Sequence, residues 1–205
     1  MQRPLALLLV MVLAVTPFAL SLAGAAMAED EPPTAFRIHL TREDETMRDI
    51  ASLPWTYGSR LMWPLVYYMN PEEISRHLEN RADAPTTPLP VGLNLALLLP
   101  EESQQRALYL LDKDPRPWVI NVRSVEDWRE INGQLLTLID EGYFAYITLY
   151  VTPEKRWKRL RIGFYASKEE AGAEGEKVKK VLGLKDVWIT TANKDELLRF
   201  RGFVE

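Results

Sequence analysis

The sequence contains no cysteine. That excludes disulfide staples, thiol catalysis, cysteine metal sites and a lipid anchor attached through cysteine. It is almost as poor in histidine, with only His39 and His77. Neither has a second metal ligand at useful spacing, and both are expected at the surface. An excess of positive charge is also missing: 25 Lys and Arg stand against 29 Asp and Glu, for a net charge of −4. No global basic field therefore points to nucleic acid or anionic lipid. No G-x-S-x-G, H-E-x-x-H or phosphate-binding loop occurs. The tempting carboxylate pair Glu169-Glu170 is adjacent on an expected helix, so the two side chains point apart and serve better as first-turn acids. The expectation is a protein that is not an enzyme, with no catalytic residue, no cofactor and no metal.

What is present suits folding. The 205 residues are 47% hydrophobic and 26% charged, an ordinary balance for a globular chain that allows one or two small domains. Residues 1–28 read as a signal peptide. Arg3 supplies a positive lead, Leu5 to Val15 is an unbroken apolar run, Pro17 breaks it, and Ala26-Met27-Ala28 before Glu29 has the small-x-small form of a cleavage site. The stretch from Leu5 to Leu22 is also nearly long enough to stay as an uncleaved anchor. On both readings the chain is exported to the periplasm or cell envelope, and membrane contact follows only if the segment stays uncleaved. Glu29 to Thr34 is an acidic, proline-containing lead. Residues 101–116, with E-E-S-Q-Q-R, a short apolar patch at Leu108 to Leu111 and the charged proline run D-K-D-P-R-P, read as a linker with room for one helical turn, between modules at 36–100 and 117–205.

In the first module Phe36, Ile38 and Leu40 alternate with Arg37 and His39, as in a strand. Thr46 with Asp49 reads as a capping box for a helix whose face is Met47, Ile50 and Ala51. A second helix is expected from Ser59 to Asn70, stopped by Asn70-Pro71, and Leu95, Leu97 and Leu99 suggest a closing strand. With E-T-M-R-D-I-A, Y-G-S-R-L-M-W-P-L-V-Y-Y-M-N-P-E-E-I and P-V-G-L-N-L-A-L-L-L-P, this βααβ order resembles a lysin motif (LysM) domain. That resemblance implies a shallow groove for N-acetylglucosamine-containing glycans. Glu45, Thr46 and Met47 match its first binding loop, and Asn70 with Pro71 its second. The family usually carries glycine where this chain has Asp44, a residue type that permits an unusual backbone angle.

In the second module Trp118, Ile120 and Val122 alternate in a first strand, and Ser124 with Asp127 is expected to cap a helix carrying Trp128, Ile131, Leu135 and Leu138. The clearest alternation in the chain follows, with Tyr143, Ala145, Ile147, Leu149 and Val151 on one side and Phe144, Tyr146, Thr148 and Tyr150 on the other. A third strand from Trp157 ends at Gly163. Ser167 with Glu170 opens a helix to Gly183, and Val187 to Thr190 makes a fourth strand. The βαββαβ order is the ferredoxin-like split βαβ pattern, so the fold class is α+β, with both helices on one sheet face. Alternation then gathers Asn121, Arg123, Phe144, Tyr146, Tyr150, Trp157, Arg159, Arg161 and Trp188 on the opposite face. Two readings of that face stand side by side: an exposed platform for sugar rings, or a surface buried by the C-terminal segment Glu196 to Glu205 with Phe200 and Phe203.

W-V-I-N-V-R-S-V, E-G-Y-F-A-Y and R-L-R-I-G-F-Y-A-S-K-E-E-A together resemble the sporulation-related repeat (SPOR) domain. The resemblance implies binding of peptidoglycan glycan strands stripped of stem peptides, at division septa, on the open sheet. It also implies cell-division or wall-remodelling proteins as neighbours. A sheet with exposed aromatics beside K-R-W-K-R-L-R would also suit RNA, but the export signal and acidic balance speak against nucleic acid. The rival reading is a periplasmic protein–protein adaptor whose modules have lost sugar binding.

Overall fold

Residues 36–114 and 116–204 are described by a computed structural model. The signal-segment reading of residues 1–28 and the acidic lead lie outside the described residues. The elements in order are β1 (Phe36–Leu40), α1 (Met47–Ser52), α2 (Trp63–Met69), α3 (Pro71–Ser75), β2 (Asn94–Leu98) and α4 (Pro100–Lys113). Then come β3 (Trp118–Val125), α5 (Arg129–Asp140), β4 (Ala145–Val151), β5 (Arg156–Tyr165), α6 (Lys168–Leu182), β6 (Trp188–Thr191) and α7 (Lys194–Phe200). The architecture is mixed, with two antiparallel sheets: β1 with β2, and a four-stranded sheet ordered β4-β5-β3-β6.

In the N-terminal part the Thr46 capping box forms as its spacing requires, with Thr46 Oγ1 accepting from the Asp49 N–H at 3.2 Å. Asp44 takes a positive φ of 56°, the left-handed angle that glycine would supply and that aspartate tolerates better than most residues. The expected helix from Ser59 is divided: a tight turn at Arg60–Met62 precedes α2, because Pro64 fits only at a helix start. Asn70 ends α2, and α3 begins at once with Pro71 in its first turn.

His39, expected at the surface, is instead buried, with its Nε2 2.7 Å from Glu45 Oε2 and its ring 5.5 Å from that of Trp55. Phe36, Ile38 and Leu40, on the other side of the strand, are exposed. The burial pattern of β1 is thus opposite to the one its hydropathy suggests, because the inward position is filled by an imidazole hydrogen-bonded to Glu45.

The stretch read as a linker is mostly α4. It has the marks of a helix: proline at the first position, Glu101 and Glu102 in the first turn and Lys113 in the last. It packs against α7 and a turn at Arg201–Phe203. The described residues accordingly form one compact unit, and a single apolar cluster runs from Met47, Ile50 and Trp63 through Ile120, Leu135 and Ile162. Polar ties cross the same boundary. Tyr67 donates to Asp140 at 2.7 Å, and Asn132 Nδ2 donates to the Ala82 carbonyl at 2.6 Å. The two halves do not hang from a flexible tether.

In the four-stranded sheet α5 and α6 cover one face, burying Ile131, Leu135, Leu138, Ala171 and Val178 against Ile120, Ile147, Leu160 and Ile162. Ser124 lies within β3 rather than capping α5, which starts at Arg129. β5 continues through Gly163 to Tyr165. A Cβ at Gly163 would lie 2.7 Å from Val119 Cγ1, so the glycine marks a close approach between strands rather than a strand end.

Candidate functional site

The face away from α5 and α6 is divided in two. Over the half formed by the start of β3, the start of β4 and the end of β5 lie α7, the Arg201–Phe203 turn and part of α2. Val119, Phe144, Tyr146 and Phe164 are buried there against Leu65, Leu197, Phe200 and Phe203. Tyr146 and Phe200 have ring centroids 4.5 Å apart, and the Tyr68 edge meets Phe144 at 5.0 Å. Each such side chain is worth about 1.5–3 kcal/mol when fully buried. Exposing Phe144, Tyr146, Phe164 and Phe200 together would use up much of the ~5–15 kcal/mol stability of a typical domain. This half is core.

At its border lies a buried polar network. Arg161 donates through Nε to Asn121 Oδ1 at 2.7 Å and through Nη1 to Glu196 Oε2 at 2.5 Å, and Tyr146 donates to Glu196 Oε1 at 2.7 Å. Burial, then the neighbouring Glu196 carboxylate, pushes the Tyr146 phenol well above its usual range, so it stays a neutral donor. Asn193 caps α7 by accepting from the Glu196 N–H at 2.9 Å, which places Glu196 at the right height to meet Arg161.

Four of the nine sheet residues expected on an open face are therefore inside the protein: Asn121, Phe144, Tyr146 and Arg161. The C-terminal segment covers them, as one of the two readings of that face held. Arg123 leaves the face for another reason. The register shifts between Asn121 and Arg123, so Arg123 pairs with Leu160 and stands on the side of Val122, reaching Glu130 of α5 at 3.6 Å. A bulge puts two successive residues on one face and breaks the period of two. Ser124 takes the vacated place, opposite Arg159.

The remaining four stay on the free end of the sheet. Cross-strand pairing sets Thr148 beside Arg159 and Tyr150 beside Trp157. The Arg159 guanidinium lies 3.7 Å from the Tyr150 ring centroid, and Lys155 Nζ lies 5.2 Å from that of Trp157. On the far edge Trp188, paired with Asn121, is 56% exposed. Tyr150 is 45% exposed. A hollow of about 270 Å³ is lined by Thr148, Tyr150, Arg159, Arg161, Asp195 and Arg199. A second, of about 360 Å³, lies at the β3–β6 edge against Asn121, Ser124, Asp186 and Trp188. Asn121 and Arg159 contribute to the lining of these hollows, and Asn121 Nδ2 and Arg159 Nε are buried without a hydrogen-bond partner among the described residues. Flat rings flanked by amide and guanidinium donors suit the apolar faces, hydroxyls and acetamido oxygens of sugars. The α7 residues Asp195 and Arg199 entered this site unforeseen; the cap spacing of Asn193 and Glu196 was the local signal for their helix.

The residues matched to LysM binding loops are engaged otherwise. Met47 is fully buried, and Glu45 accepts from the Arg42 N–H while holding His39. Asn70 is buried, donating to the Val66 and Ala96 carbonyls and accepting from the Ala96 N–H at 2.7 Å. Thr46 caps α1 and Pro71 starts α3. They hold the N-terminal half together. Among the described residues no group of three or more His, Asp or Glu is placed to hold a metal, and no helix is long and apolar enough to cross a membrane.

Neither a curated protein nor a solved structure matches the chain, and no family model supports the LysM resemblance of the N-terminal half. Residues 114–191, which hold the whole four-stranded sheet, match the family model of the SPOR domain, generally a peptidoglycan-binding module linked to cell division.

Proposed function

We propose that this chain is a non-catalytic protein of the cell envelope that binds peptidoglycan glycan strands on the free end of its SPOR-type sheet. The observation that carries the reading is the set of side chains left uncovered beyond α7, with Tyr150 and Trp188 exposed and Trp157 and Arg159 half-buried beside them, on the segment that matches a glycan-binding module. On this reading residues 1–28 direct export, residues 117–205 form a ferredoxin-like glycan reader, and the LysM-like residues 36–100 serve first as its support. A septal location and wall-remodelling partners fit the same role. The role of the N-terminal half as support is favoured by the structural duties of Met47, Asn70 and Glu45.

Trp188→Ala and Tyr150→Ala should each weaken co-sedimentation with purified sacculi by about five- to tenfold, since truncating an aromatic anchor costs more than ~1 kcal/mol of affinity. Both side chains are solvent-facing, so the melting temperature should move by less than a few degrees. Sedimentation equal to wild type in both variants would remove the sheet end as the binding surface.

A further inference from the structure

Two recesses share lining residues on α7. One is the hollow over Thr148, Tyr150 and Arg159 at the sheet end. The other, about 570 Å³, lies between the Tyr57–Ser59 loop, α4 and the C-terminal turn, against Tyr57, Ser59, Met62, Gln104 and Phe203. Asp195 and Arg199, one helical turn apart on α7, line both, so the two recesses share one wall between the sheet and the N-terminal half. The second recess mixes neutral hydrogen-bonding groups with an aromatic ring and a thioether. Ser59 Oγ accepts from the Leu61 N–H at 3.3 Å and retains its own proton to donate. The Tyr57 ring meets Phe203 edge-on at 5.6 Å, and its hydroxyl is buried with no partner among the described residues. Burial holds that phenol far above its usual range, so it remains protonated. Neutral donors and acceptors beside a ring suit a sugar better than an ion, which would meet only the opposed charges of Asp195 and Arg199.

We propose that this recess is a second glycan subsite: a strand seated on the sheet end continues over Asp195 and Arg199, and its next sugar units lie against Tyr57, Ser59, Gln104 and Phe203. The inference rests on the glycan-binding reading of the sheet. It makes binding depend on strand length, because a longer ligand engages both parts of one compact unit without an added tether.

The test is calorimetric titration of the full chain with denuded glycan fragments of two and of eight sugars. Gln104→Trp, at an exposed position of α4, fills the recess, and Gln104→Ala trims it. Wild type should bind the eight-sugar strand at least about tenfold more tightly than the two-sugar fragment. Gln104→Trp should weaken long-strand affinity by about tenfold and Gln104→Ala by about two- to fivefold, with the affinity of the two-sugar fragment and the melting temperature unchanged. Equal length dependence in wild type and both variants would overturn the second subsite alone. Wild-type protein that binds neither fragment would overturn it together with the glycan-binding reading.

Discussion

Replacing Glu196 with alanine is expected to cost about 3–5 kcal/mol of stability, because it leaves the buried Arg161 guanidinium without its counter-charge. The side chains of Arg161 and Glu196 are 9% and 4% exposed, and water is poorly placed to substitute. Tyr146 would lose its acceptor in the same step. The loss should appear in urea denaturation as a lower midpoint with little change of slope. Tyr146→Phe, which removes one hydroxyl and keeps the ring, should cost only about 1 kcal/mol. Glu196→Leu combined with Arg161→Met should recover most of the single-variant loss, since replacing both charges removes the uncompensated one. A Glu196→Ala protein within ~0.5 kcal/mol of wild type would mean that α7 does not seal the sheet.

Gly202→Ala is the second change with a large expected effect. A Cβ there would lie 1.8 Å from the Ser103 carbonyl oxygen and 2.6 Å from its carbon, both backbone atoms that cannot turn aside. The C-terminal turn must lift from α4, taking Phe203 away from Tyr57 and loosening Phe200 over Tyr146. Overpacking a well-filled contact costs typically ~1–3 kcal/mol, and a backbone clash lies at the upper end. A melting temperature lower by about 5 °C or more is the expected result, accompanied by weaker near-ultraviolet circular dichroism from the tyrosines. An unchanged near-ultraviolet spectrum and melting temperature would place the turn away from α4.

These two residues mark where local pattern stops being informative. Within β4 the alternation of Ala145, Tyr146 and Ile147 named two faces correctly, because hydrogen bonding to β5 enforces a period of two. Period alone does not say what lies over a face. Tyr146 and Tyr150 are two turns of the same pleat, yet Tyr146 is buried under Phe200 while Tyr150 is exposed. That difference is set by a helix fifty residues later, whose capping residues were visible but whose resting place depends on Gly202 fitting against Ser103. Arg123 was misplaced for a local reason, since one bulge reverses all later alternation on β3. The stretch from Pro100 to Lys113 has helix signals at both ends, but its charged composition and proline neighbours resembled a linker. His39 shows the limit of hydropathy as a guide, because it is buried with its polar ring satisfied by Glu45 and packed against Trp55. Of the candidate site, the aromatic and arginine side chains of β4, β5 and β6 were legible; the α7 wall and the recess beyond it were not, since both are products of tertiary packing.

Hydrogen–deuterium exchange of the full chain with and without denuded glycan strands tests the central claim most directly. Binding on the free end of the sheet predicts added protection at Thr148–Val151, Arg156–Arg159 and the start of β6 at Trp188. The covered segment around Phe144 and Tyr146 should change little, being already protected by α7. Protection confined to the Glu45–Met47 and Asn70–Pro71 loops, or no protection at saturating glycan, would contradict a sheet-end glycan site.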